Sequence, residues 1–276
     1  MSQTVLPNTI NYNDQLPTIS PSTQNFTQVL QPTNGSIFGQ NQQIYVDIPS
    51  RGFIDPQSLY IRYRMNVGCI TTAIVADSVI VIGCPVYTPF IRVETYINSQ
   101  QIDSVQDYNV AAHAWSNTFL GVNEKYGNQY GFGYQDPGNG TVSMNELDGR
   151  ALPAIAAGAI ASYYVSAPLL CTKLANCEKF IPAFATGGLR LMFTLDTLAN
   201  MFSTTAAILA FINPATTNIT NFELVYDMID FGPEVERSVL AQPSIKKPSV
   251  GFSFFHWSWR SRPISSNILF LGMELV

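Results

Sequence analysis

Residues 58–67 alternate between apolar and polar side chains with a period of two, and this pattern constrains the fold of the 276-residue chain most strongly. Leu59, Ile61, Tyr63 and Met65 would share one face of an extended segment. Successive side chains of a β-strand point to opposite faces, so the pattern predicts a strand with one buried face. A chain built from such segments folds into sheets that cover each other.

Further strands are predicted wherever the same period, or a run of β-branched residues, is bounded by turn residues. They are 43–48, 71–82, 90–97, 162–170, 180–182, 189–195, 207–212 and 222–231. The period changes to three or four over 104–119, where Trp115 and Phe119 would lie one turn apart, so we predict one helix there. A short helical turn is predicted at 196–202. Short strands in this arrangement are typical of a sandwich, barrel or jelly roll. We predict an all-β fold, an eight-stranded jelly-roll β-sandwich with one inserted helix and a long loop.

The chain divides into three parts by composition. Residues 1–42 are rich in Asn, Gln, Thr, Ser and Pro, and Asp14 is their one charged residue, which predicts an extended N-terminal arm that orders against a neighbour. Residues 43–233 would form the jelly-roll domain. Residues 234–276 would be a C-terminal tail, either strands of a second roll or an inter-subunit contact. Alternation in its aromatic cluster suggests one or two strands; the cluster comprises Phe252, Phe254, Phe255, Trp257 and Trp259.

The long loop spans residues 121–150 and is rich in Gly, Asn and Tyr. Long loops in compact domains are commonly functional or lie at contacts. The aromatic and glycine content suits a subunit interface or a receptor-facing loop. No Gly-Lys-Ser/Thr follows the glycines at the spacing of a phosphate-binding loop.

Motifs for catalysis are missing from the sequence. His113 and His256 are the only histidines, and neither has a metal-ligand spacing. The sequence contains no Gly-x-Ser-x-Gly elbow and no dinucleotide fingerprint. We therefore predict that the chain is not an enzyme, with no catalytic, cofactor-binding or metal-binding residue.

The sequence also contains two pairs of closely spaced carboxylates that could act as acid–base pairs. Asp227 and Asp230 lie near a predicted strand end, and Glu234 and Glu236 lie on a predicted loop. Both pairs are interpreted as solvated or locally paired. Acid–base pairs of glycosidases can come from separate strands, so sequence spacing alone does not exclude them.

The four cysteines show no zinc or redox spacing. Cys171 and Cys177 are separated by a predicted turn, which leaves a disulfide between them open. The favoured interpretation is free thiols in apolar strands, like Cys69 and Cys84.

Charged residues make up 12% of the chain, about half the usual share of ~25%, and the net charge is −5. Low charge together with 12% aromatic residues indicates that other subunits cover much of the surface. Basic residues are scattered, with one mild concentration at Lys246, Lys247, Arg260 and Arg262 that is interpreted as an ordinary solvated or interface feature. The sequence therefore gives no strong nucleic-acid-binding signal. The longest apolar run, 151–161, is too short to span a bilayer, which needs about 20 residues.

Four segments resemble the major capsid proteins of small jelly-roll DNA viruses of the virophage, polinton-like virus and adintovirus type. They are GFIDPQSL at 52–59, FIRVETYINSQQID at 90–103 with QDYN at 106–109, KFIP at 179–182 continuing to GGLRL at 187–191, and 221–233 around FELVYD. They occur in the order expected for that family. Many such proteins carry two jelly rolls and are much longer, so this chain would be a single-roll capsid or penton protein, or one roll of a double-roll protein.

The resemblance implies a virion structural protein, a capsid subunit that self-assembles into the viral shell. Its partners would be other capsid subunits, in a trimer or pentamer, and other virion proteins; it would need no cofactor. The alternative is a carbohydrate- or receptor-binding β-sandwich that uses loop 126–134 and the pair Trp257 and Trp259. An enzyme on a cupin scaffold is disfavoured, because cupins need a cluster of histidines around a metal.

Overall fold

The computed structural model describes residues 24–76, 78–119, 129–133 and 149–241. The strands in chain order are β1 Gln24–Leu30, β2 Ile37–Phe38, β3 Gln43–Ile48, β4 Phe53–Ile54, β5 Tyr60–Gly68, β6 Ile80–Ile82, β7 Phe90–Ile97, β8 Gln100–Gln106, β9 Gly149–Ala151, β10 Ile160–Pro168, β11 Ile181–Pro182, β12 Leu189–Leu195, β13 Phe202–Ser203 and β14 Asn218–Asp230. The helices are α1 Tyr108–Phe119, α2 Gln129–Phe132, α3 Leu198–Met201, α4 Ala206–Leu209 and α5 Pro233–Ala241.

The long strands form two antiparallel sheets. The first sheet has the order β1-β14-β5-β10, with the short strands β2, β4 and β11 attached, and the second has the order β3-β12-β7-β8. The chain changes sheet at almost every long connection, which is the connectivity of a jelly roll. The predicted all-β jelly-roll sandwich is confirmed. Eight strands of six residues or more occur among the described residues.

Four aromatic rings hold the two sheets together at the centre of the core. Tyr63 and Phe222 come from the first sheet, and Phe90 and Phe193 come from the second. The ring centroids of Phe193 and Phe222 are 5.1 Å apart, and those of Tyr63 and Phe90 are 5.6 Å apart. The Tyr63 hydroxyl donates to the Val86 carbonyl at 2.8 Å, so the ring's polar end is satisfied inside the core.

Three long connections meet at one end of the sandwich and form a third, small sheet. Residues 69–89 contribute β6, residues 107–159 contribute β9, and residues 196–217 contribute β13, in the order β13-β6-β9. The buried Asp196 carboxylate ties two of these connections, because it accepts hydrogen bonds from Asn109 at 3.2 Å and Asn200 at 2.8 Å. We call this end the cap.

A smaller aromatic core closes the opposite end. The Phe53 ring meets Phe184 and Phe231 edge-on, at centroid distances of 5.2 and 5.1 Å. Val239 of α5 packs into the same cluster. Helix α5 begins with Pro233 at a position where the missing N–H is not needed. Residues 234–241 of the predicted tail therefore pack on the roll, and 242–276 lie outside the described residues.

The segment predicted as an arm contains a strand of the roll. Residues 24–30 form β1, which pairs along its whole length with Leu224–Asp230 of β14. No apolar period marks this segment, and its order comes from backbone pairing with a strand about 200 residues away. The domain boundary at 42/43 therefore lies after the first strand of the roll. Residues 1–23 lie outside the described part of the chain.

Three other local predictions differ from the structure. The predicted helix 104–119 begins at Tyr108, because residues 100–106 pair with β7 as strand β8. Of the predicted strand 71–82, only Ile80–Ile82 is a strand. The predicted strand 207–212 is wrong, since helix α4 occupies Ala206–Leu209 with Thr205 as its N-cap. Short apolar runs do not separate helix from strand by periodicity. The predicted helical turn at 196–202 is confirmed by α3.

Candidate assembly surface

The histidines and the other side chains that could bind a metal are the first candidates for a chemical site. His113 lies on α1, where its Nε2 is 3.0 Å from the Asn117 side-chain nitrogen. Within the described residues, no group of three or more His, Cys, Asp or Glu side chains could hold a metal ion. His256 and the basic positions 246, 247, 260 and 262 lie outside the described residues.

Both carboxylate pairs have local roles. Asp227 accepts a hydrogen bond from the Thr27 hydroxyl at 2.7 Å, which fastens β1 to β14. Asp230 lies 3.6 Å from the Arg51 guanidinium. Glu234 and Glu236 occupy the first turn of α5 rather than a loop, where a negative charge stabilises the helix dipole. The local pairing interpretation therefore fits the first pair, and helix stabilisation fits the second.

All four cysteines lie in the described residues, and no disulfide joins any two of them. Burial raises the pKa of Cys171 to about 12. Burial also raises the pKa of Cys177. Thiolates are the reactive form, so neither thiol is prepared for nucleophilic chemistry.

The cap exposes three apolar side chains, Val75, Ile80 and Ile82, which together we call the cap patch. Ile80 and Ile82 are 40% and 42% exposed, and Val75 is 72% exposed. Ile80 and Ile82 share the outer face of β6 because they are two residues apart, while Val81 between them is buried. Their neighbours across the small sheet carry short side chains that leave the two isoleucines standing out; these are Gly149, Ala151 and Ser203.

Helix α1 carries a second exposed apolar surface. Phe119 at its last turn is 67% exposed, and Val110 at its first turn is also exposed. The Trp115 ring lies against Phe119 with centroids 5.1 Å apart, which confirms the predicted spacing of one turn. Exposed aromatic and branched residues of this kind are the usual material of protein contacts.

The outer face of the second sheet contains a groove of about 480 Å³, the sheet groove. Asp47 and Arg190 pair across its floor with two hydrogen bonds of 2.5 and 3.0 Å, and the Arg190 guanidinium lies 5.7 Å from the Tyr45 ring centre. Tyr96 lines the opposite wall. The hydrogen bond from Arg190 lowers the pKa of Asp47. The groove thus combines two aromatic walls with a polar, charged floor.

The long loop predicted as a binding or contact region is described over residues 129–133. There Phe132 is buried and its ring lies 6.3 Å from that of Tyr87, so this part of the loop packs into the core. A side chain on Gly131 would meet the Ser166 carbonyl oxygen at 2.6 Å, so α2 can lie on β10 only with glycine there. Residues 121–128 and 134–148 of this loop lie outside the described residues, and so do Trp257 and Trp259.

No family model and no curated protein sequence matches the chain. Solved structures do match. A crystal structure of PBCV-1 VP54, fitted into a reconstruction of the virophage Sputnik, superposes with a TM-score of 0.51 at 16% identity, over 81% of this chain and 46% of that one. The Faustovirus major capsid protein superposes with a TM-score of 0.51 at 12% identity, over 84% of this chain and 58% of that one. The chain thus spans about half the length of the structures it matches.

The chain has the jelly-roll fold of viral capsid proteins. The resemblance predicted from the four sequence segments is therefore confirmed at the level of the fold. Among the helices that the structure describes, none is long and apolar enough to cross a membrane.

Proposed function

We propose that this protein is a virion structural protein, a subunit that self-assembles into a viral capsid shell. The observation that carries the proposal is the superposition of more than four fifths of the chain on PBCV-1 VP54 and the Faustovirus major capsid protein. A fold alone hosts many functions, so the surface has to agree with the proposal. Its partners would be other copies of the chain and other virion proteins, and its location the virion.

The surface of the roll supports self-association. The cap patch and the end of α1 together expose several large apolar side chains, and charged residues make up 12% of the chain. Burying a whole Ile or Val side chain contributes roughly 1.5–3 kcal/mol, and a side chain that is already half-buried contributes about half as much. Such a contact is weak between two subunits, but it is repeated at every contact of a closed symmetric shell.

The proposal assigns the chain no catalytic residue, cofactor or metal. Residues 1–23 would act as the part of the N-terminal arm that orders against a neighbouring subunit. Residues 242–276 would take part in inter-subunit contacts. The oligomer within the shell would be a trimer or pentamer.

The test is assembly of the purified full-length chain, followed by sedimentation velocity and electron microscopy. We expect closed particles or defined oligomers whose amount rises with protein concentration. Replacing Ile80 and Ile82 together by Asp should reduce assembly, whereas the control pair Ile80→Leu and Ile82→Leu should leave it unchanged. Circular dichroism should show the same sheet content in both variants. A wild-type chain that stays monomeric at high concentration over a range of salt conditions would refute the proposal.

The sheet groove favours a second candidate, a carbohydrate- or receptor-binding β-sandwich. Aromatic walls can stack on sugar rings, and the Asp47–Arg190 pair offers both hydrogen-bond acceptors and donors. A glycan array with the wild-type chain and with Tyr96→Ala tests it. Binding that Tyr96→Ala abolishes would support this function, and an assembled shell without any glycan signal would dismiss it.

A further inference from the structure

Within the described residues, strand β1 forms one edge of the first sheet. Among the described strands it pairs only with β14, so the backbone groups on its other side have no partner there. Natural edge strands are normally protected by Lys, Pro or a bulge. The sequence of β1, QNFTQVL, contains no charge and no proline, and its pairing with β14 is regular. In the part of the chain that the structure describes, nothing therefore protects this edge against pairing with another strand.

One side chain of β1, Phe26, is also incompletely covered on the core side. The register places Phe26 opposite Met228 and Leu30 opposite Leu224, in a row that faces the core. Met228 and Leu224 are buried, yet Phe26 is 39% exposed. An added strand with large apolar side chains on the same face would cover Phe26 and extend the core row.

The C-terminal segment 255–259 has the pattern that such a strand needs. Phe255, Trp257 and Trp259 alternate with His256 and Ser258, which puts three aromatic side chains on one face of an extended segment. The segment contains no Asp, Glu, Lys or Arg, so pairing with the uncharged β1 buries no carboxylate, ammonium or guanidinium group. It belongs to the 35 residues, 242–276, that follow the described structure.

The place where the chain leaves the roll favours a strand supplied by another copy. Gln24, the first residue of β1, lies opposite Asp230, and α5 follows at the same end of the sheet. A tail that passed directly onto its own β1 would run parallel to it, whereas all pairings in the two sheets are antiparallel. The 13 residues between Ala241 and Phe255 can extend over about 45 Å, which is far enough to reach a neighbouring subunit.

We propose that residues 255–259 of one copy add as an antiparallel strand to the open edge of β1 in a second copy. The inference rests on the proposed self-assembly, and it names a contact separate from the cap patch. Main-chain hydrogen bonds along β1 supply affinity in this mode of recognition, and the alternate aromatic side chains supply specificity. The added strand also protects the edge of β1 from unspecific pairing.

Photo-crosslinking of the full-length chain tests the identity of the added strand. The variant Phe26→p-benzoylphenylalanine is prepared twice, once with natural isotope abundance and once labelled with heavy isotopes. The two preparations are mixed before assembly and irradiated afterwards. We expect crosslinked peptides that join position 26 to residues 251–260 and combine a light chain with a heavy chain. Crosslinks to these residues within one chain only, or crosslinks only to other parts of the protein, would overturn the proposal.

Tail variants measure the contribution to assembly. The triple variant Phe255→Ser, Trp257→Ser and Trp259→Ser should raise the protein concentration for half-assembly at least about tenfold, because buried aromatic residues dominate contacts of this size. The matched control changes the opposite face, with His256→Ser and Ser258→Thr, and should stay within about twofold. If the wild-type chain assembles and the triple variant assembles equally well, this inference fails and the capsid proposal stands. If the wild-type chain does not assemble at all, the capsid proposal itself fails.

Discussion

A substitution of Phe222 is the most direct test that the two sheets pack face to face. Its ring belongs to β14 in the first sheet and contacts Phe90 and Phe193 of the second sheet, at centroid distances of 6.1 and 5.1 Å. It also stacks on Tyr63 of its own sheet at 6.1 Å. The substitution Phe222→Ala removes all three contacts at once and leaves a cavity in the centre of the sandwich.

The expected cost follows from this burial. Replacing a fully buried Phe by Ala costs about 3–5 kcal/mol, through lost transfer energy and through the cavity that remains. Phe222 is 2% exposed and its neighbours come from both sheets, so the site has little room to collapse. In a domain of this size 1 kcal/mol shifts the melting temperature by roughly 2–4 °C, so we expect Phe222→Ala to melt about 10 °C lower. Phe119→Ala is the control, since Phe119 is exposed and its loss should cost about 0.5 kcal/mol or less.

The assay is urea unfolding of the dilute, unassembled protein, followed by circular dichroism. A double-mutant cycle with Phe193→Ala then measures the contact between the sheets. Residues in contact show interaction energies of about 0.5–3 kcal/mol, whereas distant residues are additive within about 0.5 kcal/mol. The reasoning is refuted if Phe222→Ala costs less than about 1 kcal/mol, or if the Phe222 and Phe193 changes are simply additive.

Three further predictions concern charge, thiol chemistry and close packing. The hydrogen bond from Arg190 lowers the pKa of Asp47 in the folded state, so the pair stabilises the fold above the unfolded pKa near 3.8 and loses this contribution as the pH falls through the lowered value. The free energies of unfolding in urea of wild type and Arg190→Ala should differ by at most about 1 kcal/mol at neutral pH. An equal difference at neutral pH and near pH 2 would contradict this prediction. Because partial burial raises the pKa of Cys171 to about 12, iodoacetamide should modify it at pH 8 at least about 100-fold more slowly than free cysteine, as read by mass spectrometry. Labelling as fast as that of free cysteine would contradict the raised pKa. Gly131→Ala should destabilise the chain by about 1–3 kcal/mol in the same unfolding assay, since the added Cβ would lie 2.6 Å from a carbonyl oxygen of β10. An unchanged urea midpoint would mean that α2 does not pack on that strand.

The parts of the fold that could be predicted from the sequence are those where one face of a strand is buried. Residues 59–65 alternate, and the four predicted apolar positions among them are all buried. In β7, Val93 is buried as the period predicts, while Ile91 is only partly buried. The alternation is strong because a slip of one residue would turn a whole row of apolar side chains to the solvent.

The parts that could not be predicted depend on pairing between distant segments. Strand β1 has no apolar period, because Phe26 and Val29 lie on opposite faces and both stay partly exposed. Its position follows from its backbone bonds to β14, which no local pattern reports. For α4 a signal was available, since Thr205 before an alanine-rich run is a typical helix N-cap. The candidate surfaces were missed for a related reason: Ile80 and Ile82 form a patch only because β9 and β13 place short side chains beside them.

The two outer edges of the first sheet differ in a way that bears on assembly. On one side, α2 lies against β10, and Gly131 provides the close approach that this cover requires. On the other side, no described strand pairs with the outer edge of β1, although Phe26 lies in the row that faces the core. A monomer would have to keep this uncharged edge and the apolar cap patch in water, with charged residues making up 12% of its sequence. Open edges and apolar patches of this kind favour association with other chains.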